Sequence, residues 1–403
     1  MHTPCENGRL PRLVFIGDHK VDDTTAGPVL IYRLLATYPP DRLRIVELNK
    51  QTSNPQYRLK GVLYHDLNVQ PVLAQRCRYL RPLYKLYLAT RPPQSLKILS
   101  TIKDFQPQAV LTVTHGIGWI HAWAVAKHLQ IPLHLIMHDE FRAATRFRPR
   151  FLVSWLERRF GRVYKDAASR LCVSPYMAAH YETRFGRKGI VLYPNRAVDA
   201  PSFPEPPISL LSPKSSLHIA YAGSIWSGRL KMIQALAARL AARGSRLQLY
   251  TVHSREELAR MGIDLAGVES EPITPSARLI ACLREKADVL FLPLSFQPEF
   301  RSVVSLGFPS KLADYTAAGL PILIWGPSQC AAARWAKENP GAAELVENED
   351  PQALDPVISR LLTDAQHRFQ LASTALRVGN ACFSYERAFS IFSKALTAGA
   401  TGG

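Results

Sequence analysis

Apolar residues along the chain follow two alternating rhythms. Short uninterrupted apolar or β-branched runs read as strands buried on both faces. Longer stretches, with apolar positions recurring every three or four residues, read as covering helices. In the first half the runs are Leu13–Gly17, Leu43–Leu48, Ala109–Thr114, Leu133–His138, Arg170–Val173 and Gly189–Leu192. Between them lie the helical stretches Gly27–Thr37, Pro93–Lys103, Trp119–Leu129, Pro149–Asp166 and Pro175–Phe185. The second half repeats the scheme with strands at Leu217–Ala222, Leu247–Val252, Val289–Pro293 and Pro321–Ile324. Its helices are Leu230–Arg243, Pro275–Glu285, Lys311–Ala318 and Gln329–Glu338. This alternation predicts the α/β class, as two Rossmann-like, doubly wound parallel-sheet domains facing a central cleft, with ligands at the carboxyl ends of the strands.

Periodicity breaks in Asn195–Lys214, where five prolines and three serines interrupt it. The expected organisation is therefore a first domain over 1–195, a linker over 196–214 and a second domain over 215–380. A C-terminal helix over 381–403, amphipathic in Ser384–Leu396, is expected to cross back towards the first domain and end in a frayed tail. A length of 403 residues suits two or three domains at about 150 residues each.

Composition narrows the class. With 47% hydrophobic and 20% charged residues, a disordered chain is excluded. The longest apolar run, Ala287–Phe296, is broken by Asp288 and Pro293 and is too short to span a bilayer. Residues 1–18 place Glu6, Arg9 and Arg12 before one short apolar run, so neither a signal peptide nor an anchor is expected. Six scattered cysteines without a CxxC pair point to a reducing, cytoplasmic setting rather than to disulfides or zinc. The net charge of +18 is uneven: residues 1–200 hold 30 basic and 14 acidic side chains, +16, leaving +2 for the remainder. An electrostatic partner should therefore meet the first half.

The segment most suggestive of chemistry is Phe308–Pro327. Pro309, Ser310 and Lys311 open a helix that ends at Gly319-Leu320-Pro321 before a buried strand. Backbone amides at a helix N-terminus beside a lysine suit a diphosphate, and Asp314, one turn on, suits ribose hydroxyls. The same pattern also describes a capped core helix with a solvent-facing lysine.

Here the sequence resembles glycosyltransferases of the GT-B fold, especially glycosyltransferase family 4, whose donor signature reads PSK-x-x-E/D-Y-x-A-x-G-x-P. Tyr221-Ala222-Gly223-Ser224 resembles that family's glycine turn, and Cys172–Met177 and Val191–Asn195 resemble further segments of it. The resemblance implies that Lys311 and the amides near Ser310 bind the donor phosphates, with Gly223 and Ser224 alongside and Asp314 on the ribose. Arg229 and Lys231 lie where relatives carry a basic residue against the diphosphate. In the family's E-x7-E pattern the first Glu falls on Leu306, a departure that weakens the expectation of a retaining mechanism; Glu299 is the substitute at hand. No DxD motif follows a strand in the second half, and with Lys311 and Arg229 available no metal and no other cofactor is expected.

In the first half, His138-Asp139-Glu140 ends a strand, and the resemblance places His138 against the donor sugar. Asp139 and, in the loop 17–28, Asp18 are the further catalytic candidates. His19, Gly27, His115 and Trp119 are expected on the acceptor side. The stretch 78–103 carries six basic residues and no acidic one. In the stretch 141–165, Phe147, Phe151 and Trp155 recur every four residues beside Arg146, Arg158 and Arg159, a pattern that suits an anionic membrane surface. A core helix with a solvated basic face has the same pattern. Nucleic acid is not expected, since no known module is present.

The expectation is a cytoplasmic, peripheral-membrane enzyme. It would move a sugar from a nucleotide-diphospho-sugar, a UDP-sugar first, to a carbohydrate or lipid-linked acceptor in surface polysaccharide or glycolipid synthesis. The alternatives are a nucleotide-sugar epimerase of the same fold and a non-enzymatic basic membrane- or nucleic-acid-binding protein.

Overall fold

The computed structural model describes residues 10–24, 26–48, 54–67, 93–140, 150–272 and 276–398. The chain divides into two compact units, the first formed by residues 1–193 with 388–403 and the second by 194–387.

In the first unit the strands are β1 (Leu13–Gly17), β2 (Leu43–Glu47), β3 (Leu63–Asp66), β4 (Ala109–Val113), β5 (Leu133–Met137), β6 (Ser169–Cys172) and β7 (Ile190–Val191). They form one parallel sheet in the order β3-β2-β1-β4-β5-β6-β7. β1, β4 and β5 are buried at every position, as central strands covered on both faces must be. Leu13 is in register with both Leu43 and Ala109, so β1 stands where the winding direction reverses. Loops leaving β1 and β4 therefore diverge and open a crevice at their carboxyl ends. The helix Tyr385–Ala398 contributes Ala388, Phe392, Ala395 and Leu396 to this unit's core, a spacing that puts all four on one helical stripe.

The second unit carries β8 (His218–Ala222), β9 (Arg246–Thr251), β10 (Val268–Pro272), β11 (Val289–Pro293), β12 (Ile322–Trp325) and β13 (Glu344–Val346). Their order is β10-β9-β8-β11-β12-β13, again all parallel, with the reversal between β8 and β11. Ile219, Tyr221, Leu249, Phe291 and Leu323 fill the core between this sheet and its helices.

Three strands absent from the hydrophobic pattern are β3, β10 and β13, and each lies at a sheet edge. β3 reads Leu-Tyr-His-Asp with no buried residue, and β10 reads Val-Glu-Ser-Glu-Pro with only Val268 buried. An edge strand needs no continuous apolar run, and these three have none, whereas the edge strand β7 was legible in Gly189–Leu192. The pattern also omitted the helices Leu354–Thr363 and Ala365–Phe383. In the latter a wholly buried arginine, Arg368, interrupts the apolar stripe. Among the described residues no helix is long and apolar enough to cross a membrane.

Candidate functional site

In the second unit, β8 ends at Ala222 and the chain turns at Gly223, whose φ is 136°. The Gly223 amide donates to the Tyr250 carbonyl at 2.7 Å. Lys311, the first residue of the helix Lys311–Ala318, lies over this turn, with Nζ 5.4 Å from the centre of the Tyr221 ring. Tyr315, one turn along the same helical face, anchors the helix. Its hydroxyl accepts from the Ala222 amide at 2.9 Å and donates to the Phe291 carbonyl at 3.3 Å. The helix is thereby tied to the end of β8 and the middle of β11, the two strands that flank the reversal.

Arg229 completes a cationic pair. Its guanidinium lies 3.4 Å from the Tyr221 hydroxyl and 3.5 Å from the Ser224 carbonyl, over the ring of Trp226. The Tyr221 hydroxyl donates to that same carbonyl at 2.7 Å. Burial, with the Arg229 charge added, holds the Lys311 ammonium well below the usual lysine range, and Asp314 only partly restores it. Two basic side chains at the carboxyl ends of parallel strands are suited to an anion. Asp314 is half-buried, Ser224 is exposed, and Lys231 faces solvent.

The expected amide cradle is smaller than the sequence suggested. Ser310 sits at the helix N-cap without capping an amide, and the Leu312 and Ala313 amides turn back to the Pro309 and Ser310 carbonyls at 3.0 and 3.1 Å. The helix start is tightened, so the side-chain cations carry more of the site than its amides. Leu306 closes the short helix Arg301–Leu306, and Glu299 is exposed in the turn before it.

In the first unit the residues after β1, β4 and β5 converge. His115 Nδ1 pairs with Asp139 Oδ2 at 3.2 Å, and the His19 ring meets the His115 ring edge-on at 4.4 Å between centres. The hydrogen bond to Asp139 raises the His115 pKa against the effect of burial. Burial alone opposes the Asp139 charge, but the bond from His115 and the charges of His115, His138 and His19 outweigh it and keep the carboxyl below the ordinary range. Burial drives His138 down to about 4, and burial with His115 nearby does the same to His19. At neutral pH the His138 and His19 imidazoles are therefore neutral, beside a third whose ring is hydrogen-bonded to a carboxylate. Among the described residues no group of three or more His, Cys, Asp or Glu side chains could hold a metal ion.

Two first-unit expectations change. Asp18 Oδ2 accepts from the backbone amides of Ile117 and Gly118, the latter at 2.8 Å, at the start of the helix Gly118–Leu129. Oδ2 thereby serves as a helix-terminus acceptor, while Oδ1 is buried without a hydrogen-bond partner among the described residues. Gly116, with φ +64°, leaves room for it: a β-carbon there would come 2.0 Å from Asp18 Oδ2. Trp119 is fully buried, bonded through Nε1 to the Gly116 carbonyl at 3.1 Å and packed edge-on against Phe160. It belongs to the core and cannot line an acceptor surface. Gly27 is exposed near the start of the helix Ala26–Leu35.

Arg146, Phe147 and the Phe151 side chain lie outside the described residues. In the helix Arg150–Asp166, Leu156, Phe160, Val163 and Tyr164 are buried, and Phe160 packs on Tyr181 and Phe185. That apolar face is core. Trp155 is half-buried and Arg158 exposed, while Arg159 lies over both Trp155 and Trp123, 5.5 and 5.2 Å from their ring centres. Lys127 covers the Trp123 ring at 4.9 Å.

Tyr221 and Tyr315 lie inside the motifs quoted from the sequence but were assigned no role there, and Trp226 was not singled out. Tyr315 had a signal, since it stands four residues after Lys311 and shares its helical face.

Residues 58–196 match the family model of Glycosyltransferase Family 4. No curated protein sequence matches the chain. Among solved structures, HepE of Anabaena in complex with UDP and glucose is similar over 96% of this chain and 99% of its own, at 13% identity and a TM-score of 0.69. Sucrose-phosphate synthase of Thermosynechococcus elongatus covers 95% and 97% at 13% identity and 0.66. The α,α-trehalose 6-phosphate synthase of Burkholderia multivorans covers 96% of each at 12% identity and 0.60. The two parallel sheets have the GT-B fold.

Proposed function

We propose that the chain, which has the GT-B fold, is a glycosyltransferase that transfers a sugar from a nucleoside-diphosphate sugar, a UDP-sugar first, to an acceptor hydroxyl. The observation that carries this reading is the placement of Lys311 over the Gly223 turn with Arg229 beside it. A diphosphate leaving group accumulates negative charge as the glycosidic bond breaks. Positive groups fixed before the reaction stabilise that charge without reorganising. Burial and the Arg229 charge disfavour the half-buried Lys311 ammonium and Asp314 only partly offsets them, so a phosphate would supply the missing counter-charge. Arg229 offers a planar donor for a second phosphate oxygen. In this reading the two cations neutralise the leaving group without a metal, and Asp314 holds the ribose. Of the similar structures, HepE is described with UDP and with UDP-glucose, which makes uridine the base to try first.

For the first unit we propose the acceptor. His138, neutral at physiological pH, can accept or donate a hydrogen bond to a sugar hydroxyl, and the His115–Asp139 pair can take up a proton beside it. Retention of configuration is the proposed stereochemistry, with no carboxylate at Leu306 to face the sugar. The acceptor is proposed to be a carbohydrate or lipid-linked chain in surface polysaccharide or glycolipid synthesis. The Trp123–Trp155–Arg159 ridge is proposed to rest on the inner face of an anionic membrane, a contact that fails if the chain does not float with phosphatidylserine vesicles at low salt.

Calorimetric titration with UDP, GDP, ADP and dTDP and their glucose conjugates tests the donor reading. One nucleotide should bind, and Lys311→Ala should abolish it; absence of binding to all of them refutes the proposal. Turnover of the donor alone into an epimer, rather than into free nucleotide, would assign the site to an epimerase.

A further inference from the structure

Arg196 follows the segment Tyr193-Pro194-Asn195 and is 7% exposed. A buried guanidinium is tolerated only when its donors are used. Here all three nitrogens are. Nε donates to the Ala313 carbonyl at 3.0 Å, Nη2 to Thr316 Oγ1 at 3.1 Å and Nη1 to Asn380 Oδ1. Its own amide donates to the Phe383 carbonyl at 3.0 Å, and its carbonyl accepts from Asn195 Nδ2 at 2.9 Å. Thr316 in turn donates back to the Leu312 carbonyl at 2.7 Å, which leaves its oxygen lone pairs to the arginine. Gly379 makes the approach feasible: a β-carbon there would stand 2.2 Å from Thr316 Oγ1 and 2.6 Å from Arg196 Nη2.

These contacts divide the helix Lys311–Ala318 into two working faces. Lys311 and Tyr315 share the face turned to Gly223, the end of β8 and the middle of β11. Ala313 and Thr316 lie on another side and are held by Arg196. The Asp314 carboxylate lies near enough to favour the charges of both Arg196 and Lys311. We propose that Arg196 is a positioning residue of the donor site, a three-pronged clamp that sets the helix carrying Lys311 and Asp314 where the diphosphate and ribose need it. This rests on the donor reading above. Burial lowers the Arg196 pKa only to about 10, with Asp314 and then Glu386 opposing the fall, so the clamp is charged at neutral pH. A lysine would keep the charge but lose the planar fork that reaches three acceptors at once.

A second buried arginine of the same unit supplies the control. Arg368 is 0% exposed, and its guanidinium donates to the carbonyls of Leu210, Ser212, Leu361 and Leu362, none of them on the donor helix. Both Arg196→Lys and Arg368→Lys should lower the melting temperature. Measured well below either transition, only Arg196→Lys should weaken binding of the nucleoside diphosphate that the unaltered chain prefers, by roughly tenfold, equivalent to about 1.4 kcal/mol. The donor KM should rise in step with little change in kcat. If Arg196→Lys does not fold, Asn380→Ala removes a single prong and should weaken binding by about threefold. Unchanged nucleotide affinity in the folded Arg196 or Asn380 variant overturns the proposal. So does equal weakening in Arg368→Lys, which would mean that any loss of stability in this unit loosens the site. Failure of the unaltered chain to bind any nucleotide removes the donor reading itself and the clamp with it, whereas binding lost in Lys311→Ala but kept in Arg196→Lys removes the clamp alone.

Discussion

Lys311 rests against the bare α-carbon of Gly223, so closely that a β-carbon on Gly223 would stand 2.5 Å from both Cε and Nζ. The glycine is needed twice, once for its φ of 136° and once for the space the lysine occupies. Gly223→Ala should therefore displace the lysine as well as strain the turn. The expected result is a folded chain, less stable by about 1–3 kcal/mol, with nucleotide affinity reduced at least roughly tenfold. Denaturant titration and calorimetry on the same preparation separate the two effects; wild-type affinity in the variant would show that the lysine does not act from this position.

Lys311 should be a residue whose removal harms function and spares the fold. Its folded pKa lies below its unfolded one, so folding binds fewer protons than unfolding between those values, and stability rises with pH across that window. Below the folded pKa the cost of burying the charge is fully present. Lys311→Met removes that cost and its pH dependence. Its melting temperature at neutral pH should equal or exceed that of the unaltered chain, while diphosphate affinity drops by on the order of tenfold to a hundredfold. A destabilised variant with intact affinity would contradict both expectations.

The His115–Asp139 pair should be visible by titration. Its hydrogen bond raises the His115 pKa, so the stability it contributes is present below the unfolded histidine value and is lost as pH rises through the folded one. Both side chains are more than a third exposed, at 39% and 46%, so solvent screening keeps the contribution below about 1 kcal/mol. In Asp139→Asn the His115 imidazole signal should titrate at lower pH by NMR, while His138 stays neutral down to about pH 4 in the unaltered chain. An unmoved His115 midpoint would show that Asp139 does not set it.

Glu47, at the end of β2, should give the first unit its own pH response. The side chain is 1% exposed, accepts from the Val21 amide at 2.7 Å and stands 3.5 Å from Arg58, which also binds Asp66 at 2.9 Å. Burial raises its pKa from 4.5 to about 7, with Asp66 adding to the shift and the Val21 amide and Arg58 opposing it. Between those values the folded state binds the extra proton, so stability should decline as pH rises from about 4.5 to 7. Glu47→Gln keeps an acceptor for Val21 and should flatten that segment of the stability–pH curve, as read by urea midpoints at intervals across it. A curve of unaltered slope would place the response elsewhere.

The central strands were legible because a parallel sheet covered on both faces demands runs of apolar residues. β1 and β11 fall where the pattern places them, residue for residue. Helix ends were legible where capping chemistry is local. Ser174 accepts from the Met177 amide at 3.0 Å ahead of Pro175, and Gly319, at φ +65°, closes the helix that Lys311 begins. Edge strands such as β3 and β13 left no such trace, because one side of each lacks a neighbouring strand and their residues are free to be polar. Asp18 and Trp119 looked like site residues for the opposite reason. Polar and aromatic residues at strand ends serve structure and chemistry alike, and only their partners tell which.

By itself, then, the sequence determined what depends on nearest neighbours along the chain: the alternation of strand and helix, the α/β class, and the Lys311 motif on a helix behind a tight loop. Tertiary structure decided what depends on residues far apart. It set Gly223 beneath Lys311, 88 positions further along the chain, and Arg196 behind Ala313 and Thr316. It turned Asp18 into a helix-end acceptor and drew His19, His115 and Asp139 from three strand ends into one cluster. Hydrophobic periodicity is a local property, repeated every few residues. Desolvation and pairing of charged groups are properties of the packed fold, and it is they that lower the Lys311 pKa.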